Sequence, residues 1–308
     1  MHDKITKETY LQSALNYTGG KYKLLKQILP LFPENIKNFY DVFAGSATVA
    51  INSKNWGKTI INDFDSNIIS LFEYLRSKPQ ENLMSQINEI IAHYKLSNTR
   101  INGYDYYNSN SADGLGRYNK EYYTILRNDY NNRNFIFDKE LIFYILLVYG
   151  FNNQVRFNKK GHFNTPVGKR DFNIKMMKKF EQFHHKISEK KIHLSNTDFR
   201  EVLSNICDKE DFVYLDPPYL ISTATYNENG GWTEQDELDL LSLLDLLNNR
   251  NIRFALSNVF IHKGRKNELL VKWAEKYNVH YMNFNYNNSN YQSKAKQGET
   301  IEVLITNY

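Results

Sequence analysis

The stretch Asp211-Phe212-Val213-Tyr214-Leu215-Asp216-Pro217-Pro218-Tyr219 decides the fold. Its first half is a short apolar run with aromatic and β-branched side chains, the composition of a buried strand. Two consecutive prolines then remove two backbone donors and force an extended, rigid turn, so the strand ends there. Carbonyls in that turn are free to accept hydrogen bonds from something other than a sheet. Open α/β sheets bind ligands at the carboxyl ends of parallel strands, and here that edge carries a carboxylate, a carbonyl and a tyrosine ring. The set suits an aromatic amine. A Pro-Pro pair taken alone reads more simply as a strand end, with Asp216 capping the next helix.

Working outward, a helix with a strong apolar face is predicted from about Glu234 to Leu247, with strands at Ile252 to Ser257 and Thr300 to Thr306. Upstream, Asn38 to Phe43 reads as a strand, Ala44-Gly45-Ser46 as a turn and Ala47 to Asn52 as the start of a helix. Lys58 to Asp63 gives a second strand and Ser66 to Leu75 a helix with Ile68, Ile69 and Phe72 on one face. This is a βαβ unit of a parallel sheet. Between the halves, residues 77–194 shift to Asn, Tyr, Lys and Arg, with a strand-like run only near 141–149. Such a block reads as a domain of residues 77–194 inserted into a sheet-bearing domain of residues 1–76 and 195–308.

Composition bounds the answer without deciding it. The 308 residues, 41% hydrophobic and 24% charged, are ordinary for a folded protein. A formal charge of +5 suits a polyanionic partner but falls far short of a disordered basic arm. The single cysteine, Cys207, excludes an intramolecular disulfide and reads as a small buried hydrophobe. Met1 to Tyr10 lacks the apolar stretch of a signal peptide, and the longest apolar run, Leu141 to Val148, is too short to cross a bilayer. A cytoplasmic location is expected. His184 and His185 have no metal-site spacing and read as surface residues; no metal is needed.

Two further segments carry chemistry. Asp41, Phe43, Ala44, Gly45, Ser46 and Ala47 form a small-residue turn at a strand end that lets backbone approach a ligand, and Asp63 at the next strand end can bind both ribose hydroxyls of a nucleoside. The later glycines of a pyrophosphate-binding dinucleotide motif are missing, so the pattern fits an adenosine cofactor. Asn16-Tyr17-Thr18-Gly19-Gly20-Lys21 runs into an amphipathic helix from about Tyr22 to Leu29, and its amides and the Lys21 amine can hold a carboxylate such as the methionine end of that cofactor. It is not a P-loop.

At Asp216 the chemistry is specific. The adenine amino nitrogen is a poor nucleophile because its lone pair is delocalised into the ring. The Asp216 carboxylate and the Pro217 carbonyl can hold both amino hydrogens and direct the lone pair at a methyl donor, with Tyr219 stacked on the extruded base.

In this order the segments resemble the Dam-type DNA adenine methyltransferases, the alpha-group amino methyltransferases with an Asp-Pro-Pro-Tyr motif. The resemblance implies a Rossmann-like α/β sheet with an inserted, mainly helical target-recognition domain, S-adenosylmethionine as cofactor, and double-stranded DNA as partner. It further implies cofactor contacts at Phe43, at Asp63 and in the segment Asn196-Thr197-Asp198-Phe199, although Asp198 reads equally as a helix cap. Tyr149 to Asn158 followed by Gly161 to Gly168 is similar to the family's base-reading hairpin. Arg156 would read guanine, Asn152 and Gln154 would support base flipping, and Asn158 and Pro166 lie in the same DNA-binding segment. At Asn16 the GATC-specific members carry a lysine, so GATC recognition is not fixed by this sequence. Lys175 to Lys191 and Lys263 to Lys266 can meet phosphates, though a charge run is usually a solvated face.

The competing chemistries are weaker. Protein glutamine or RNA adenine methylation commonly uses Asn where Asp216 stands. Cytosine ring-carbon methylation needs a nucleophilic cysteine, usually beside proline, and Cys207 stands between Ile206 and Asp208. A DNA-binding protein without catalysis would not need the three cofactor segments. A cognate restriction endonuclease acting separately, or a solitary methylase, fits the sequence equally.

Overall fold

In the computed structural model residues 10–16, 19–54, 57–222, 231–283 and 300–308 are described. The first helical segment is broken: α1 (Leu25–Ile28) is a single turn between tighter turns at Lys21–Leu24 and Leu29–Leu31, the second of which contains Pro30. Then come β1 (Asn38–Asp41), α2 (Thr48–Asn52), β2 (Lys58–Asn62) and α3 (Ser66–Ser77). Asp65 starts α3 by accepting a hydrogen bond from the Asn67 amide. Its face of Ile68, Ile69, Leu71, Phe72 and Leu75 is buried at helical spacing.

The insertion is helical: α4 (Gln80–His93), α5 (Thr99–Asn102), α6 (Gly116–Asn132), α7 (Lys139–Tyr149) and α8 (Ile174–Ile187). The apolar run at 141–149 is therefore a helix, not a strand. Every residue from Leu141 to Tyr149 is buried, so α7 is apolar all round and has lost the periodicity that separates helix from strand. Each large aliphatic side chain so buried is worth roughly 1.5–3 kcal/mol, which makes α7 the axis of the insertion.

The chain returns through β3 (Ile192–Ser195), a strand that sequence pattern misses and that straddles the expected boundary at 194/195. It continues with α9 (Phe199–Asn205), β4 (Phe212–Leu215), α10 (Glu234–Asn249), β5 (Arg253–His262), β6 (Arg265–Lys266), α11 (Glu268–Ala274), β7 (Asn278–Met282) and β8 (Ile301–Thr306). The sheet order is β3-β2-β1-β4-β5-β8-β7, with β6 paired to β5. The first five strands are parallel, whereas β8 is antiparallel to both β5 and β7.

Both faces of the sheet are covered. Along β4, Phe212 and Tyr214 join one apolar cluster and Val213 and Leu215 the other, as the period of two requires. The cluster containing Phe39, Phe72 and Phe212 continues into the insertion through Leu83, Leu126 and α7, so catalytic sheet and insertion share one core. Two surface expectations change. Cys207 is exposed in the loop after α9, where Ile206 takes the core position. His184 is buried, its Nε2 2.9 Å from the Lys78 carbonyl, while His185 is exposed. Among the described residues no helix is long and apolar enough to cross a membrane.

Candidate active site

Strand order reverses between β1 and β4, since β2 and β3 lie to one side and β5 to the other. A cavity of about 790 Å³ opens there, where ligands of open α/β sheets bind. Asp41, Phe43 to Ser46, Asp63, Asp198, Phe199 and Asp216 to Tyr219 all line it, with Gly19 to Lys21. Of the sequence-predicted residues near this cavity, Tyr17 and Thr18 lie outside the described residues, and Ala47, fully buried, lies just behind the lining.

The turn after β1 approaches β2 closely. Gly45 and Ala47 both adopt positive φ, 49° and 56°, a conformation that strains the alanine. The Gly45 amide donates to Asp63 Oδ2 at 2.7 Å and the Asp65 amide to Asp63 Oδ1 at 2.9 Å. Each carboxylate oxygen keeps a further lone pair for a ligand hydroxyl. Burial nevertheless pushes the Asp63 carboxyl up to about 6, against these amides.

Two asparagines hold the strand ends: Asn62, which carries no site expectation from the sequence, and Asn196, which opens the expected segment Asn196-Thr197-Asp198-Phe199. Asn62 donates to the carbonyls of Val42 and Thr197, both at 3.0 Å, and accepts from the Thr197 amide. Asn196 donates to the carbonyls of Asp63 and Phe64. Asp41 is buried, and its Oδ2 accepts from the Ala50 amide at 3.1 Å while its Oδ1 has no hydrogen-bond partner among the described residues. Burial, then the charge of Asp216, holds its carboxyl well above the usual range.

Asp216 belongs to a charged cluster. Lys21 Nζ lies 2.9 Å from Asp216 Oδ1 and 3.5 Å from Glu302 Oε1, with Lys21 and Glu302 buried and Asp216 18% exposed. Lys21 also donates to the Tyr219 hydroxyl at 2.8 Å, and that hydroxyl donates to Asp216 Oδ1 at 3.2 Å. Burial opposes the Lys21 charge, but Asp216 and Glu302 outweigh it and raise its pKa. The Asp216 carboxyl is raised by burial, with Lys21 pulling it back. Asp216 caps no helix: Thr233 and Asp236 form the capping box of α10.

An aromatic wall completes the cavity. Phe43, Phe199 and Trp232 have ring centroids 5.3–5.5 Å apart. Trp232 and the exposed Phe64 were not legible as site residues. The Trp232 indole donates to Glu237 Oε2 at 2.6 Å, and Glu237, fully buried, also accepts from Asn267. Asp198 does cap α9 through the Arg200 amide, and it also lines the cavity, so the two readings of this residue coexist.

A family model described as D12 class N6 adenine-specific DNA methyltransferase matches residues 17–288. The chain belongs to this family. It is 39% identical over 306 residues to Type II methyltransferase M.FokI of Planomicrobium okeanokoites, covering 97% of this chain and 43% of that protein. Modification methylase StsI of Streptococcus sanguinis is 40% identical over 307 residues, again 97% of this chain and 43% of the relative. The DNA adenine methylase of Vibrio cholerae is 24% identical over 249 residues, 79% of this chain and 80% of the relative. The chain thus spans less than half the length of the first two relatives.

In this D12-class chain the expected base-reading segment is a short hairpin on the insertion. Phe157 bridges Phe163 and Gly150 bridges Val167, both antiparallel, with a turn closed by the Gly161 amide on the Asn158 carbonyl. A Cβ on Gly168 would lie 2.5 Å from the Gly150 carbonyl oxygen, so only glycine lets the two strands approach at the hairpin base. Arg156 donates through Nε to Asn164 Oδ1 at 2.7 Å and through a terminal nitrogen to the Asn164 carbonyl. Asn152 and Asn153 have consecutive positive φ values of 51° and 53°; Asn152 and Pro166 are exposed, and Gln154 and Asn158 partly so. Phe151 beside them is 47% exposed, an aromatic that the sequence reading passed over. Asn16 is exposed, and its Oδ1 accepts from Lys179 Nζ at 2.8 Å.

Proposed function

We propose that this chain transfers a methyl group from S-adenosylmethionine to the exocyclic amino nitrogen of adenine in a short duplex DNA sequence. The observation that carries the reading is the juxtaposition, in one cavity, of the Asp216-Pro217-Pro218-Tyr219 turn with the acidic ends of β1 and β2. The cavity fits the cofactor. A cation is favoured by carboxylates at Asp41, Asp63 and Asp216, and the buried, unpartnered Asp41 Oδ1 suits an ammonium donor. Asp63 would accept the ribose hydroxyls, Phe43, Phe64, Phe199 and Trp232 would enclose the adenine, and the backbone around Gly19 and Gly20 would meet the amino-acid end. Lys21, expected from sequence to hold that carboxylate, has Asp216 and Glu302 as ion-pair partners, which turns our reading of it toward the catalytic acid.

Bound, the cofactor supplies an electrophilic methyl on a sulfonium. The chain supplies orientation: Asp216 and the Pro217 carbonyl accept the amino hydrogens of an extruded adenine and favour a tetrahedral nitrogen with its lone pair toward the donor. Transfer would break the bond between the methyl and the sulfonium sulfur, leaving a neutral thioether, and the amino nitrogen would give up one proton, which Asp216 would pass to solvent. Tyr219, its hydroxyl fixed by Lys21 and Asp216, stacks on the base.

We further propose that the insertion, residues 77–194, is the DNA-contacting part, with Arg156 reading guanine and Asn152, Gln154, Asn158 and Pro166 on the same face. Lys179, docked on Asn16, would return a cation to the position where the sequence lacks one. A cytoplasmic location and a restriction endonuclease acting separately complete the proposal; of these, only a restriction-modification setting draws support from the relatives' names, a type II methyltransferase and a modification methylase. Single-molecule sequencing of DNA from cells expressing this gene tests the whole reading: N6-methyladenine at a defined sequence is expected, and unmodified DNA despite soluble, cofactor-binding protein would overturn it.

A further inference from the structure

Glu302 is a buried carboxylate to which the proposed reaction gives no task. Its location follows from topology. Because β8 runs antiparallel to β5, its first residues stand at the edge where the parallel strands end. Glu302 pairs with Val259, beyond Leu256, the residue level with the last residue of β4. A parallel strand in this place would put its first residues at the opposite edge of the sheet.

The geometry gives Lys21 two carboxylates to serve. Its ammonium lies 2.9 Å from Asp216 and 3.5 Å from Glu302, and it also donates to Tyr219 at 2.8 Å and to the Gly19 carbonyl at 3.4 Å. We propose that Glu302 is a positioning residue for methyl transfer: by sharing the Lys21 ammonium with Asp216, it weakens the hold of Lys21 on that carboxylate and leaves Asp216 basic enough to accept from the substrate amine. The proposal rests on the role given to Asp216 above.

Electrostatics supports it. Among the described residues, the charged and titratable groups facing Asp216 are Lys21, Glu302, Tyr219, Tyr214, whose hydroxyl is 2.8 Å from Ser257 Oγ, and Asp41. Burial raises the Asp216 carboxyl, Lys21 lowers it, and Glu302 raises it again. Without the Glu302 charge, Lys21 would pair with Asp216 alone, lowering its basicity and occupying its lone pairs.

The test uses Glu302→Gln and Glu302→Asp in the whole chain. The pH titration of the Asp216 ¹³Cγ resonance, assigned by its loss in Asp216→Asn, is read without cofactor. Glu302→Gln should lower the midpoint by about half a pH unit or more, and Glu302→Asp, which keeps the charge, should restore most of that shift. Single-turnover methylation by Glu302→Gln should fall about tenfold or more, with cofactor dissociation constant within about threefold of wild type, since the lost interaction acts at the reacting nitrogen. A midpoint unchanged in Glu302→Gln overturns the proposal, as does a rate loss that Glu302→Asp does not recover. If Glu302→Gln fails to fold, Glu302→Ala is read in its place, with the same losses expected and the same results overturning the proposal. Asp216→Ala separates the two readings: an active Asp216→Ala enzyme sinks the role of Asp216 itself, whereas inactivity there beside a wild-type titration in Glu302→Gln sinks only the role of Glu302.

Discussion

Lys21 Nζ sits 2.9 Å from Asp216 Oδ1, joining the glycine-pair segment near the start of the chain to the Asp-Pro-Pro-Tyr turn. This contact makes one buried ammonium the counterion of two carboxylates, the buried Glu302 and the partly exposed Asp216. Lys21→Met should therefore destabilise the fold by about 3–5 kcal/mol, the usual consequence of stranding a buried charge. Denaturant titration at neutral pH measures it. A change below about 1 kcal/mol would mean that water replaces the ammonium.

Asp216→Ala removes an acceptor from the nitrogen that gains the methyl group. By analogy with lost oxyanion donors, single-turnover transfer should fall by about 10²–10³-fold, or about 2.7–4 kcal/mol. Circular dichroism should show a folded protein, because Asp216 caps no helix. Near-normal transfer would leave Pro217 and Tyr219 as the sole orienting groups.

The Asp63 carboxyl, pushed up to about 6 by burial, gives two trends of opposite sign. Its folded-state pKa is above its ordinary value, so the folded chain binds more protons than the unfolded one between about pH 4 and 6, and this group stabilises the free protein as pH falls through that window. Cofactor binding needs the carboxylate, so the cofactor dissociation constant should rise up to about tenfold per pH unit below 6. Calorimetry across pH 5–8 on wild type and Asp63→Asn tests both. A pH-independent difference between them would place the titrating group elsewhere.

Trp232 closes the aromatic wall beside Phe43 and Phe199. Losing its ring should weaken cofactor binding about tenfold, since aromatic pairs contribute roughly 0.5–1.5 kcal/mol beyond their buried area. Trp232→Phe should recover most of that affinity, while losing the bond to Glu237. Quenching of Trp232 fluorescence by cofactor, absent in Trp232→Phe, provides the readout. Equal cofactor affinity in Trp232→Ala and wild type would remove Trp232 from the site.

Arg156 is held by Asn164 across the hairpin, which fixes the direction of its guanidinium. A bidentate base contact is worth roughly 1–3 kcal/mol of discrimination, so Arg156→Ala should relax preference at one position of the recognition sequence. Methylation of duplexes carrying each base at each position, at fixed salt, measures the ratios. A uniform loss on every duplex would mark Arg156 as a phosphate contact instead.

What the sequence displays and what it hides divide along physical lines. Asp216, Pro217 and Asp63 are legible because strand-end chemistry is local: proline removes donors where it stands, and an acid after an apolar run announces an edge. The helix α7 is not legible, because burial on every side erases the period that names a helix. His184 is misread because its partner is remote in sequence, the Lys78 carbonyl, and Cys207 because the adjacent Ile206 takes the core position and leaves the cysteine outside. Glu302 and Trp232 carry no motif at all. Their places near the cavity arise only when β8 pairs with β5 and Trp232, just before α10, meets Phe43 and Phe199.

The antiparallel placement of β8 also sets an order of assembly in time. During synthesis Lys21 emerges first, Asp216 after the insertion, and Glu302 last. A nascent chain can pair β1, β2, β3 and β4 while β8 is still inside the ribosome, and domains fold as units during synthesis. Until β8 docks between β5 and β7, Lys21 has Asp216 but not Glu302. On the role proposed for Glu302, the charge balance around Asp216 is therefore completed only by the insertion of β8.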